Sequence, residues 1–332
     1  METASKINSL VLLRAIAVLG VCFGHLGYAL AYGNSLSPLF MALHNYGKYG
    51  VHMFFVISGF IIPLSMDKAG YDIKYFFKFL AKRGVRLHPP YLIAFILAII
   101  ILAAEVQVKR IPFPHSFGAV LEYCLYWKRM DTNPVFWTLK VEAEFYLLMA
   151  LYFPLLKRCP KLTLGISIPI ILLLSAVVPP MPFELPDYLI FFWVGVVGFV
   201  VYTKAEGAKW PLVCHAILIG CMVLFYPFPA AIAAIFTIAI ILFYKGRGNR
   251  VFNNVGEMSY SVYLMHYPIG VKLINLIYPH INPAYAVLLF LLANIVVIVA
   301  CALFWKWVEK PFASLSNKIK YGDAKHAPKN LT

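Results

Sequence analysis

Apolar runs long enough to cross a bilayer, separated by short polar or basic stretches, recur along almost the whole chain. They fall near 8–30, 48–66, 87–104, 135–156, 163–179, 186–203, 210–226, 229–244, 257–278 and 284–307. A bilayer's hydrocarbon core takes about 20 residues of helix. The pattern therefore predicts an all-α, polytopic integral membrane protein of about ten transmembrane helices. Tyr71 to Arg86 (YDIKYFFKFLAKRGVR) reads differently, with lysines at 74, 78 and 82 on one stripe and Tyr75, Phe76, Phe79 and Leu80 on the other side. That is an amphipathic helix expected to lie in the membrane interface and feed the third span. The segment 111–130, with His115 and the aromatic stretch Tyr123 to Trp127, is too short and mixed for a span and is expected to be interfacial or re-entrant. No internal repeat is visible. One transmembrane domain over 1–313 and a short polar tail over 314–332 are expected, with no soluble domain after the last span.

Composition agrees with the pattern. Hydrophobic residues make up 62% and charged residues 13%, whereas a soluble domain carries about 25% charged residues. The net charge of +15 would suit a nucleic-acid partner in a soluble protein, but in a membrane protein its distribution matters more. With the N-terminus inside, the inner segments hold twenty-one Lys/Arg and the outer ones five. The positive-inside rule then places both termini in the cytoplasm, and no nucleic-acid partner is expected. Part of the basic excess is available to anionic headgroups or an anionic substrate. Six cysteines (Cys22, Cys124, Cys159, Cys214, Cys221, Cys301) are scattered, mostly within apolar runs, and no structural disulfide is expected. The first apolar run carries Arg14 and His25 and lacks a small-residue cleavage site, so no cleavable signal is expected.

The spans carry polar groups that lipid does not tolerate well. Arg14 and His25 lie eleven residues apart in LLRAIAVLGVCFGHL. At about 100° per residue they return to nearly the same helix face, roughly 16 Å apart along the axis. Polar groups sharing a face inside a span usually point at a cavity or a partner. The alternative is a snorkelling arginine and a histidine bonded to a neighbouring helix. Arg83 and Arg86 share a helix face where the interfacial helix enters the bilayer, ahead of His88-Pro89-Pro90-Tyr91. Their forked donors suit phosphate, although positive-inside anchoring is the commoner use of such a pair. The prolines stand near a first turn and can leave backbone groups open to a ligand.

Other polar positions are weighed in the same way. Ser58 and Gly59 sit in mid-span and predict close helix packing; His52 lies nearer the outer surface. Glu142 and Glu144 are two residues apart and cannot share a face closely, and Lys140 either snorkels outward or pairs with Glu144 at i, i+4. An intramembrane carboxylate is a functional candidate by default. A structural hydrogen bond to a tyrosine is the preferred reading of His266, ahead of catalysis. Glu309 is expected to pair with a cytoplasmic arginine. No zinc or di-metal spacing appears, so no metal is expected. No GxxxG-type seam is obvious, which leaves the oligomeric state open.

Taken together, Arg14 with His25, GVHMFFVISGF (50–60), RGVRLHPPY (83–91), WTLKVEAEFY (137–146), SYSVYLMH (259–266) and EKP (309–311) resemble the acyltransferase-3 family of integral membrane O-acyltransferases, which acylate bacterial surface carbohydrates. The pieces come in the family's order and cover nearly the whole chain. The resemblance implies a bacterial inner-membrane, multi-pass enzyme that uses acetyl-CoA or another acyl-CoA from the cytoplasm. It implies a carbohydrate hydroxyl as acceptor, reached from the outer side. Position by position, it implies that His25 and Arg14 are the essential pair of the first span and that Arg83 and Arg86 are the arginine pair of the third. It favours Glu142 over Glu144 as the glutamate of the fourth. Some members carry an appended extracytoplasmic hydrolase-like domain, which is not expected here.

The mechanism expected on that basis has Arg83, Arg86 and Arg14 neutralising CoA phosphates at the inner face. His25 acts as general base on a sugar hydroxyl, and Glu142 orients His25 or the sugar. An acyl-histidine relay is the covalent variant. Two other classes of polytopic protein make different demands on the sequence. A transporter or flippase for a lipid-linked saccharide would suit internal repeats and paired broken helices, and neither is visible. A polytopic glycosyltransferase would place acidic residues in the first outer loop, and residues 31–47 contain none.

Overall fold

The structure, a computed structural model, describes residues 8–130, 132–177, 184–203, 209–246 and 249–321. Lys6, Lys204, Arg247 and the tail beyond Tyr321, all part of the inner charge counted above, lie outside these residues. In chain order the α-helices are α1 (Asn8–Tyr28), α2 (Ser37–Gly47), α3 (Gly50–Lys68), α4 (Phe76–Lys109) and α5 (Phe117–Cys124). Then come α6 (Trp137–Arg158), α7 (Pro160–Val177), α8 (Leu189–Thr203), α9 (Trp210–Phe225), α10 (Phe228–Phe243) and α11 (Arg250–Glu257). The last group is α12 (Ser259–His266), α13 (Lys272–Ile277), α14 (Ala286–Phe304) and α15 (Lys310–Asn317). Among the described residues there is no strand.

Among the described residues five helical segments are long and apolar enough to cross a membrane: Asn8–Tyr28, Ser37–Lys68, Ile73–Lys109, Leu185–Thr203 and Pro283–Asn317. The runs at 163–179, 210–226 and 229–244 fold as shorter apolar helices. Those at 135–156 and 257–278 are helical too, and they carry many of the polar groups of the site described below.

Two features depart from the sequence pattern. The amphipathic stretch and the third span form one continuous helix, α4, of 34 residues, with Pro89 and Pro90 inside it. Prolines cannot donate to the carbonyls four residues back, so those of Val85 and Arg86 lose their helix donors. Beside them the Tyr260 hydroxyl donates to the Leu87 carbonyl at 2.9 Å. The connection after α1 also holds a helix, α2, which packs along α1. Gly20 and Gly24 of α1 face Gly47 of α2, and a Cβ on Gly47 would meet the Gly20 carbonyl at 2.2 Å. This is a GxxxG stripe that the sequence reading passed over, and it is used within the chain.

The expected close packing at Ser58-Gly59 is present. A Cβ at Gly59 would meet the Phe192 carbonyl of α8 at 2.0 Å, and one at Gly195 would meet the Val56 carbonyl of α3 at 2.2 Å. Small residues let these backbones touch, which is how helices gain dispersion energy where no water drives them together. Two apolar cores result. One is built mainly from α3, α6, α8, α9 and α10, the other from α1, the C-terminal half of α4, α12 and α14. Val51 and Phe54 pack against both. A cavity lies where the two cores meet.

Candidate active site

The cavity encloses about 440 Å³ between α1, α3, α4, α6 and α12, with Glu309 closing one wall. Its polar lining holds four cations, Arg14, Lys68, Arg83 and Arg86, against two carboxylates, Glu142 and Glu309. Apolar side chains such as Leu10, Phe54, Ile57 and Leu139 form the rest of the wall. Low polarity around unbalanced positive charge strengthens attraction for an anion.

Two of these cations, Arg83 and Arg14, are held by neutral groups. Arg83 donates from Nη2 to Ser65 Oγ at 2.6 Å and lies over the rings of Phe79 and Tyr146, at 5.5 and 5.6 Å. Its Nε is buried without a hydrogen-bond partner. Arg14 donates from Nε to Ser259 Oγ at 3.1 Å. Among the described residues none of the three arginines forms an ion pair. A buried donor left unpaired costs about 1–3 kcal/mol, so the arrangement suits a ligand that supplies the missing acceptors.

The two glutamates of α6 part company. Glu142 enters the cavity, accepting hydrogen bonds from the Tyr146 hydroxyl one turn on and from Ser58 Oγ at 3.4 Å. Glu144 turns away and accepts the backbone N–H groups of Glu184 and Leu185, at 3.1 and 2.8 Å, at the start of the turn that leads into α8. Lys140 lies 3.8 Å from Glu184, and it acts on Glu144, its expected i, i+4 partner, electrostatically. On the same surface Arg129 donates to Glu184 at 2.8 Å, and that carboxylate raises the guanidinium pKa above its ordinary value.

Glu309 is 7% exposed and accepts from the Ser261 N–H at 3.0 Å and from Ser261 Oγ at 2.5 Å. Arg14 and Arg86 act on it electrostatically, yet its hydrogen bonds go to serine rather than to an arginine. It ends a π-helical turn, Trp305–Glu309, just before Pro311. A second π-helical turn, Tyr267–Val271, contains Pro268 and follows His266 directly. Proline breaks the i→i−4 ladder, and single π turns reset the faces that a helix presents on either side, often at functional sites.

Arg14 and His25 do share one face of α1, and both point at the 259–266 segment. Arg14 meets Ser259, while His25 Nδ1 lies 2.9 Å from His266 Nε2, the two rings edge to edge with centroids 5.1 Å apart and planes 4° from parallel. His266 is 0% exposed and His25 is partly accessible. The sequence reading gave His266 a tyrosine partner; its hydrogen bonds go instead to His25 and to the Val262 carbonyl, because α1 presents the histidine where the tyrosines of α12 point elsewhere. His25 does not line the cavity. Tyr263 does, and its ring lies 6.0 Å from that of His266. The histidine pair thus sits one side chain beyond the cavity wall, and Glu142 hydrogen-bonds to Tyr146 and Ser58 rather than to His25.

Sequence reasoning passed over Tyr146, Ser65, Lys68 and Ser259. Only Tyr146 carried a local signal, its i, i+4 spacing from Glu142. Among the described residues no cluster of three His, Cys, Asp or Glu could hold a metal ion.

A family model described as an acyltransferase domain matches residues 7–306, nearly the whole chain. No curated protein and no solved structure matches.

Proposed function

Because the chain belongs to the acyltransferase-3 family, we propose that it is an acyl-CoA-dependent O-acyltransferase of the bacterial inner membrane. It moves a short acyl group, acetyl being the first expectation, from cytoplasmic acyl-CoA to a hydroxyl of an extracytoplasmic or lipid-linked carbohydrate. The observation that carries this reading is the cavity: four cations, none in an ion pair among the described residues, above an apolar wall. Phosphates of CoA suit the cations, and the pantetheine arm suits the apolar part.

The chain crosses the membrane ten times with both termini in the cytoplasm. Two observations support this. Basic residues favour one side by twenty-one to five. Helices α1 and α12 run in the same direction, since Arg14 pairs with Ser259 and His25 with His266, as spans one and nine of such a chain would. Arg14, Arg83 and Arg86 then lie toward the cytoplasm and His25 toward the outer half.

In the reaction, Arg83, Arg86 and Arg14 hold the phosphates and the arm passes Tyr263 to bring the thioester to His25. The sugar hydroxyl gives its proton to His25 as its oxygen attacks the acyl carbonyl. The C–S bond then breaks, the ester forms, and the thiolate takes the proton back from His25 and leaves as free CoA thiol. Glu142, fixed by Tyr146 and Ser58, orients Arg83 and the donor rather than His25.

The test is thiol release from acetyl-CoA by the protein in lipid nanodiscs supplied with mixed surface glycans. Wild type is expected to release thiol, His25→Ala to bind CoA without release, and Arg83→Ala/Arg86→Ala to lose CoA binding. Full acyl transfer by His25→Ala would overturn His25 as the base. Absence of both CoA binding and thiol release in the wild type would overturn the donor.

A further inference from the structure

We propose that His266 is a positioning residue that holds His25 in the tautomer whose bare nitrogen is Nε2. The inference rests on the reading of His25 as general base.

The hydrogen-bond chain has one direction. His266 Nδ1 lies 2.9 Å from the carbonyl oxygen of Val262, and a carbonyl can only accept, so Nδ1 carries the proton. His266 is 0% exposed and forms no ion pair among the described residues. A second proton would make it an uncompensated buried charge, so its Nε2 is bare and accepts. The contact at 2.9 Å to His25 Nδ1 then requires the proton on His25 Nδ1. In a neutral imidazole the other nitrogen, Nε2, is left with its lone pair. It has no hydrogen-bond partner among the described residues, and His25 keeps part of its ring accessible while its partner does not.

An unrestrained histidine side chain prefers the opposite tautomer, with the proton on Nε2, which could not accept from a sugar hydroxyl there. The Val262 carbonyl therefore sets His266, and His266 sets His25. When His25 takes the hydroxyl proton at Nε2, its Nδ1–H still donates to His266 Nε2, and the charge that develops is met by a fixed acceptor. A carboxylate does this in the serine-protease triad; here a neutral ring does it. The π-helical turn that starts at Tyr267 lets α12 end its regular register on His266 and so keep that ring edge to edge with His25, in line for the hydrogen bond.

The experiment combines ring-¹⁵N histidine spectra with kcat and KM for acetyl-CoA in nanodiscs, for wild type, His25→Ala, His266→Ala and His266→Gln. Glutamine places an acceptor oxygen near the position of Nε2, and alanine places none. Wild-type His25 is expected to be protonated at Nδ1 and to move to the Nε2-protonated form in His266→Ala. The same variant is expected to lose kcat by on the order of 10²-fold or more, with KM for acetyl-CoA within about twofold. His266→Gln should recover most of that loss. An Nε2-protonated His25 in the wild type overturns the proposal, and this spectrum decides even if neither His266 variant folds. Equal losses in the alanine and glutamine variants, with the His25 tautomer unmoved, overturn it too. Activity surviving in His25→Ala would instead sink the general-base reading on which the proposal stands.

Discussion

Substituting Gly59 by alanine tests how the core built on α3 and α8 is packed. The new Cβ would meet the Phe192 carbonyl oxygen at 2.0 Å, its carbonyl carbon at 2.8 Å and its Cα at 2.9 Å. Reaching an ordinary contact of 3.4 Å needs the two backbones to part by about 1.4 Å. Rotating a side chain aside does not relieve this, because the three nearest obstructing atoms belong to the main chain of α8. Overpacking costs about 1–3 kcal/mol where side chains can yield, so the cost here falls at about 3 kcal/mol or above. A radial gap of 0.5–1 Å already forfeits roughly a quarter to a half of each dispersion contact, and in lipid those contacts are the main attraction between helices. The shift also reaches the cavity, since Ser58 is the next residue and its hydroxyl reaches Glu142 at 3.4 Å. Equilibrium unfolding by dodecyl sulfate titration in mixed micelles measures the first effect, and KM for acetyl-CoA measures the second. Gly220→Ala in α9 is the control, since its Cβ meets nothing within 4 Å. That variant should be neutral or stabilised by up to about 1 kcal/mol through helix propensity. If Gly59→Ala proved as stable as Gly220→Ala, with KM unchanged, the α3–α8 seam described here would be wrong.

Four further outcomes follow from the same geometry. Glu144→Ala removes the acceptor for two backbone N–H groups before α8 and should cost about 1–2 kcal/mol of stability in the same unfolding titration, with kcat unchanged. Tyr146→Phe keeps a ring beside Arg83 but leaves Glu142 with Ser58 alone; turnover should fall roughly tenfold, near the 1.4 kcal/mol of one lost hydrogen bond, with CoA affinity by calorimetry within about threefold. Arg83→Lys keeps the charge and loses the fork, so CoA binding should weaken by about tenfold or more, and recovery to the wild-type affinity would show that point charge alone is enough. Arg129→Gln breaks a pair whose arginine side is 55% exposed; it should change stability by under about 1 kcal/mol, and the small effect should shrink further at high salt.

How far the site was legible differs from residue to residue. Arg83 and Arg86 were readable as a pair because three residues make less than one helical turn, and they line one cavity. Glu142 could be told from Glu144 only through the family motif. Locally both are intramembrane carboxylates, and what separates them is that α3 stands on one side of α6 and the start of α8 on the other. The partner of His266 was not legible, because a tyrosine one turn away is a visible neighbour whereas a histidine 241 positions distant is not.

The sequence alone determined the helical class, the apolar segments, the excess of basic charge on alternate connections and the sharing of one face by Arg14 and His25. All of these are properties of a single segment, set by composition and by the helical period. Tertiary structure decided which faces meet. Gly59 against Phe192, Gly195 against Val56 and Gly47 against Gly20 bring backbones into contact, and those contacts place Ser58 beside Glu142 and α1 within the bundle. They also decided that α4 stays unbroken through two prolines, and that His25 finds its partner outside the cavity holding the arginines. Helical periodicity fixes a direction around one axis; the distance and angle to the next axis come from the shapes of both surfaces, which no single segment contains.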